Sequence, residues 1–206
     1  MAEAVYLTFD DGPDPRWTPR VLEVLAAHDA AATFFMVGQR ALAQSGLARA
    51  IVVAGHGLGN HSFSHRHPWT MSAAAARREV RDGAAALADA CGRPAQFFRP
   101  PYGRLRRCMS DEAARASQRV VLWDRAAIDW GPLGRGAAIA RRLGRIRPGE
   151  IVLMHDGAAR RNHPEELLRV LPGLLDDLAA RGLRTLSLPA SPPAGAGTSA
   201  PPPRAG

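Results

Sequence analysis

What most constrains the folding of this chain is a series of short apolar runs that do not alternate with polar residues. They lie at 4–7, 33–37, 58–61, 96–99, 120–123, 151–154 and 184–188. A half-exposed strand alternates, so runs of this kind belong to strands buried on both faces, as in a parallel sheet covered by helices. The intervening segments supply the helices. Residues 17–28 place Trp17, Val21, Leu22, Val24 and Leu25 at helical spacing, with Pro19 tolerated near the start. Further helices are expected at 41–54, 71–90, 111–117, 136–146 and 164–181. Ser72 is the expected N-cap of the 71–90 helix, and Gly92 with Pro94 closes it.

About seven strand–helix alternations define an α/β chain with a parallel sheet, either closed as a barrel or open. The eight-fold barrel takes ~250 residues, and this chain has 206. The expectation is therefore a distorted, incomplete (β/α) barrel of about seven parallel strands, a single domain over residues 1–188. Residues 189–206, rich in Pro, Ala and Gly, are expected to form a disordered tail.

The net charge of +8 comes from Arg alone, since the chain has no Lys. These side chains are scattered over helix faces (Arg77, Arg78, Arg81, Arg141, Arg142) without interleaved aromatics, which argues against a nucleic-acid groove. Attraction to an anionic polymer remains compatible with the charge. Cys91 and Cys108 are too few for a zinc cluster or a disulfide framework; they are either bridged or, as expected, two independent buried thiols. The N-terminus lacks the pattern of a signal peptide, and no run is long enough to span a membrane. As written the chain reads as cytoplasmic; a mature fragment or excised domain of an extracellular protein would look the same. Nothing in the sequence sets the oligomeric state.

In a parallel barrel, chemistry sits at the C-terminal ends of the strands. Asp10 and Asp11, in Thr8-Phe9-Asp10-Asp11-Gly12-Pro13, end the first strand. Adjacent carboxylates disfavour joint ionisation, and a cation between them removes the objection. His61 and His65, in His61-Ser62-Phe63-Ser64-His65, follow the third strand; four-residue spacing would bring both imidazoles to one side of a helical turn, where they can share a metal. Arg99 follows the fourth strand, Asp129-Trp130 lie beyond the run at 120–123, and His155-Asp156 follow the run at 151–154. Singly, each is an ordinary turn or cap. Their gathering on one rim is not. His28 reads as a surface residue, His56 and His67 as structural or supporting, and His163 as an ordinary polar residue near a helix start.

Two imidazoles and a carboxylate suit zinc or a similar divalent ion, with a position open for water. Such an ion lowers the pKa of water and polarises a carbonyl oxygen. The remaining Asp can take the water's proton and a separate His can protonate the leaving group. An Arg keeps the base ionised, and an Asp keeps the acid imidazole charged and oriented. These are the parts of a metal-assisted hydrolase of an amide or ester.

The motifs at 8–13, 61–65, Arg99-Pro100-Pro101-Tyr102-Gly103, Asp129-Trp130 and Leu153-Met154-His155 resemble, in order and form, the five motifs of polysaccharide deacetylases. These are the NodB-homology enzymes of carbohydrate esterase family 4. Ala32-Thr33-Phe34-Phe35 and Gly55-His56-Gly57-Leu58-Gly59-Asn60 add to the likeness, which spans residues 4–188. The resemblance implies a distorted (β/α) barrel that removes N- or O-acetyl groups from an acetylated glycan, foremost one containing N-acetylglucosamine. It implies Asp10 as general base, and Asp11, His61 and His65 as ligands of a divalent ion, zinc first and cobalt or another ion as alternatives. It implies His155 as general acid, Arg99 as holder of the base and Asp129 as partner of the acid. The backbone N–H of Tyr102 would bind the oxyanion, and Trp130 and Leu153 would line the acetyl pocket. The rival readings are a same-fold hydrolase of a small non-sugar amide and a non-catalytic glycan-binding module. The intact pair Asp10 and His155 weighs against the second.

Overall fold

A computed structural model of the chain describes residues 3–157, 159 and 161–190. The greater part of the expected tail, 191–206, lies outside the described residues. The sheet is organised around β1 (Ala4–Asp10). Side chains alternate along a strand, and those of Val5, Leu7 and Phe9 enter the main core under the helices, while Tyr6 packs on the opposite side with Phe35 and Phe97. β1 is thus covered on both faces, which is why its run does not alternate.

β2 (Thr33–Met36) and β7 (Ile151–His155) flank β1, and β3 (Gly57–Asn60), β4 (Phe97–Phe98) and β5 (Arg119–Val120) continue outward from β2. β6 (Arg125–Ala126) lies beyond β7, giving the order β5-β4-β3-β2-β1-β7-β6, with β8 (Arg184–Thr185) pairing the start of β1. Every pairing is parallel. The connections carry α1 (Thr18–Ala27), α2 (Gly38–Ala43), α3 (Ser45–Val53), α4 (Ala73–Cys91), α5 (Arg107–Arg115), α6 (Gly136–Leu143) and α7 (Pro164–Ala180). Ser72 caps α4 by accepting from the Ala75 N–H at 3.2 Å, and Gly92, at φ 72°, ends it in the left-handed region. Among the described residues no helix is long and apolar enough to cross a membrane.

The two edges of this half-barrel, β5 and β6, are consecutive in sequence. The run expected as one strand at 120–123 is divided because the chain changes partner within it. Val121 N–H donates to Phe98 O on one edge at 2.9 Å, and Asp124 N–H donates to Ile151 O on the other at 2.9 Å. Residues 121–124 therefore cross the seam, and Asp129 follows β6 rather than the 120–123 run. The single helix expected at 41–54 is two, parted at Gln44, whose φ of −126° and ψ of 45° are not helical. The helix expected from 111 starts at Arg107, after the extended Arg106. Cys91 and Cys108 are both free thiols, as expected, but of the two expected to be buried only Cys91 is; Cys108 is partly exposed.

Candidate active site

Asp10 is the last residue of β1, in register with Phe35 on β2 and His155 on β7. Its carboxylate is held from inside the barrel. Arg99, wholly buried, donates from Nη1 to Asp10 Oδ1 at 2.7 Å and to Thr8 Oγ1 at 2.8 Å. Its Nε and Nη2 donate to Val121 O at 3.2 Å and Leu122 O at 3.0 Å, across the seam. The guanidinium lies 3.9 Å from the centre of the Phe35 ring. Phe35 has that place because residue 59 is Gly: a Cβ there would stand 2.3 Å from Phe35 Cδ1. Burial lowers the Arg99 pKa and the Asp10 charge opposes it, but a guanidinium remains protonated.

Asp11 shares one neighbour with Asp10, whose Oδ2 also lies 3.6 Å from His61 Nε2, and otherwise faces a different set of groups. At φ 74° it occupies the left-handed region, uncommon for a side chain with a Cβ. Its Oδ1 lies 3.1 Å from His65 Nε2 and 3.6 Å from His61 Nε2, and among the described residues no well-aligned hydrogen bond satisfies this buried oxygen. Its Oδ2 accepts from Asn162 Nδ2 at 2.7 Å. Burial works against ionisation of Asp11, but the imidazoles of His65, His155 and His61 outweigh it and hold the carboxyl well below the usual range.

His61 Nδ1 lies 2.8 Å from Arg99 O. A carbonyl can only accept, so Nδ1 carries the proton and Nε2 presents its lone pair to Asp11. Burial pushes the His61 pKa down to about 4, against the pull of Asp10 and Asp11. The two imidazoles do not share a helical turn. Residues 61–65 form an irregular loop with Ser62 at φ 66° and His65 at φ 58°, and these two left-handed residues bring the rings to 4.9 Å. Glu79 on α4 fixes that loop, accepting from Ser64 N–H at 2.8 Å and Ser64 Oγ at 2.6 Å.

On the opposite wall His155 Nδ1 donates to Asp129 Oδ1 at 2.8 Å, and the His155 backbone N–H donates to Asp129 Oδ2 at 2.8 Å. Burial disfavours the imidazolium, but Asp129, with Asp11 and Asp10 behind it, raises the pKa to about 9. Trp130 stands edge-on to the His155 ring, the centroids 5.2 Å apart.

These residues surround a cleft of about 540 Å³. Asp10, Asp11, His61, His65, Tyr102, Trp130, Leu153 and His155 line it, together with Trp123, Arg161 and Asn162. Of the residues singled out in the sequence, Arg99 and Asp129 do not line it; both are fully buried behind the groups they bind. Thr8 stands in the 8–13 motif, which assigns it no role, and Glu79 and Asn162 gave no sequence signal, because a lone Glu or Asn has no distinctive spacing. His56 is structural, its Nδ1 accepting from Ala32 N–H at 3.3 Å away from the rim. His67 packs on Tyr102 with centroids 5.0 Å apart. His28 is partly buried rather than a plain surface residue, with Nδ1 2.7 Å from Val24 O. His163, expected to be ordinary, ties two loops together through its N–H to Asp129 O at 2.7 Å and its Nε2, 3.0 Å from Gly131 O.

Residues 2–121 match the family model of polysaccharide deacetylases. The chain is 36% identical over 180 residues to a chitooligosaccharide deacetylase of Sinorhizobium fredii, covering 87% of this chain and 82% of that one. It is 31% identical over 186 residues to a peptidoglycan-N-acetylglucosamine deacetylase of Bacillus cereus, covering 89% and 85%. Among solved structures it is similar to a family 4 carbohydrate esterase from Streptomyces lividans in complex with acetate, with a TM-score of 0.81, 33% identity and coverage of 89% and 91%. The chain belongs to the polysaccharide deacetylase family. It is a hydrolase that removes acetyl groups, of the class represented by the chitooligosaccharide and peptidoglycan deacetylases.

Proposed function

We propose that this enzyme removes N-acetyl groups from glycans containing N-acetylglucosamine, using a divalent ion, zinc, held by Asp11, His61 and His65. The observation that carries the reading is the division of Asp10 and Asp11 into two environments. One carboxylate is neutralised by Arg99 at 2.7 Å; the other turns an unsatisfied oxygen toward two imidazoles. The ligand atoms of Asp11, His61 and His65 lie within 4.8 Å of one another, and a cation supplies what the orphaned oxygen lacks. Two imidazoles and a carboxylate form a set that zinc accepts while keeping a coordination position open. When bound, the ion makes water acidic and polarises the acetyl carbonyl.

The protein's own groups do the rest. Asp10, held by Arg99 at 2.7 Å, takes the proton of the attacking water as its oxygen bonds to the acetyl carbon. The Tyr102 N–H donates to the oxyanion that develops. Trp130 and Leu153 enclose the acetyl methyl and exclude bulk water. His155, oriented through Nδ1 by Asp129, gives its Nε2 proton to the sugar nitrogen as the C–N bond breaks. The products are acetate and an amino sugar.

The test is acetate release from chitooligosaccharides, peptidoglycan and acetylxylan, with zinc or cobalt added to chelator-treated enzyme. Release from the first two, dependent on the metal, is expected. Failure on every glycan with metal bound would overturn the reading.

A further inference from the structure

Asn162 lies 151 residues from Asp11 in sequence, yet its Nδ2 is 2.7 Å from Asp11 Oδ2 and 3.1 Å from Gly157 O. Both neighbours are acceptors only, so the amide must present its NH₂ to them. One oxygen of Asp11 is therefore occupied, and the other is the oxygen left unsatisfied toward His61 and His65. We infer that Asn162 is a positioning residue for the cation site, selecting which oxygen of Asp11 serves as ligand. The inference rests on the metal site proposed above.

The loop that carries Asn162 is fixed independently of its side chain. The backbone of Asn162 forms an antiparallel bridge with Trp130. Gly131 N–H donates to Arg161 O at 2.8 Å, and His163 N–H donates to Asp129 O at 2.7 Å. The Asn162 amide is thus presented from the wall that also carries Asp129. The Asp11 main chain is restrained as well, since Arg40 Nη1 donates to Asp11 O at 2.5 Å. Gly157 passes so close that a Cβ on it would stand 2.4 Å from that same oxygen. A left-handed residue with a Cβ persists where its surroundings over-determine it. With its backbone held by Arg40 and the 157 segment, the remaining freedom of Asp11 is rotation of its carboxylate, and Asn162 removes it.

Partners that orient a metal ligand typically change affinity about 10–100-fold when lost. The experiment compares the wild-type enzyme with Asn162→Leu, which keeps the bulk and loses the donor, and Asn162→Ala. Zinc dissociation constants are read by competition with a chromophoric chelator, alongside melting of the metal-free proteins. Both variants should bind zinc about 10–100-fold more weakly, and the metal-free proteins should melt lower than the wild type because the buried Asp11 Oδ2 loses its donor; the loss of turnover should shrink as zinc is raised to saturation. Unchanged zinc affinity in both variants overturns the inference, and a raised KM beside it assigns Asn162 to the substrate instead. Wild-type enzyme that binds no zinc overturns the metal site itself, a result distinct from equal binding by all three proteins.

Discussion

The two flanks of the half-barrel are built by different means. From β1 through β3 and across to β7, strands of four to seven residues pair in continuous register. On the other flank β4, β5 and β6 have two residues each, and 121–124 cross between the sheet edges. There the guanidinium of Arg99 takes over the task of a ladder, binding Val121 O and Leu122 O while holding Asp10. Backbone pairing suffices to place Asp10 and His155, the proposed base and acid. A buried side chain is needed to hold Asp10 and close the wall.

The largest break in this contrast is Arg99→Ala. It strips the seam of its donors and leaves the Asp10 carboxylate buried without a partner, a change that costs about 3–5 kcal/mol. Urea unfolding should show that loss along with loss of turnover; a variant of wild-type stability would mean the seam closes without Arg99. Asp10→Asn separates the two effects. It should lower kcat about 10²–10⁴-fold while zinc affinity and fold persist, and loss of zinc in this variant would make Asp10 a ligand.

Asp129→Asn probes the group that reaches His155 on the regular flank from beyond β6. Asp129 holds the His155 pKa above its usual value, so the rate should fall on an alkaline limb as His155 loses its proton. Without the Asp129 charge the alkaline limb should move to lower pH, and a limb that stays put would leave Asp129 a structural role only. The same pair bears on stability. The folded pKa of His155 is raised from 6.5 to about 9, so in the metal-free protein its contribution is complete below about pH 6.5 and is lost as pH rises through about 9. Thermal melts of wild type and Asp129→Asn should converge at the alkaline end. Gly59→Ala is the mildest change: a methyl forced against Phe35 should cost about 1–3 kcal/mol. A drop in kcat larger than the drop in stability would show strain passing from Phe35 to Arg99.

The chemistry was the most legible part of the sequence. Asp10-Asp11, His61, His65 and His155 can be read as a site because few other uses combine those residue types at successive strand ends. The groups that orient them left no such trace. Glu79 sits in the middle of α4 among charged residues, and Asn162 follows two Arg residues in a loop; only folding brings either one to the site. In the fold, the apolar strands announced themselves, whereas β6, an Arg and an Ala, has no strand pattern. The division at Gln44 is marked only by the Ser45-Gly46 that follows it, a turn signal that a reading of 41–54 as one helix passes over. The helical turn expected for His61 and His65 failed for a related reason: spacing of four is shared by helices and by loops with left-handed residues, and Ser62 is not a residue that advertises such a conformation.

The register of β1 against β7 carries a consequence for how this enzyme can change. Asp10 and His155 are opposite one another on neighbouring strands, whose separation in any sheet is about 4.8 Å. In the proposed mechanism the group that accepts a proton and the group that delivers one are anchored on the same rung of adjacent strands. Loops around the cleft can lengthen, shorten or acquire new contacts to sugars without altering that distance. A slip of one residue in either strand would turn one of the two groups to the opposite face. Contacts along the rim are thus free to drift, while the spacing of Asp10 and His155 is locked to the ladder beneath it.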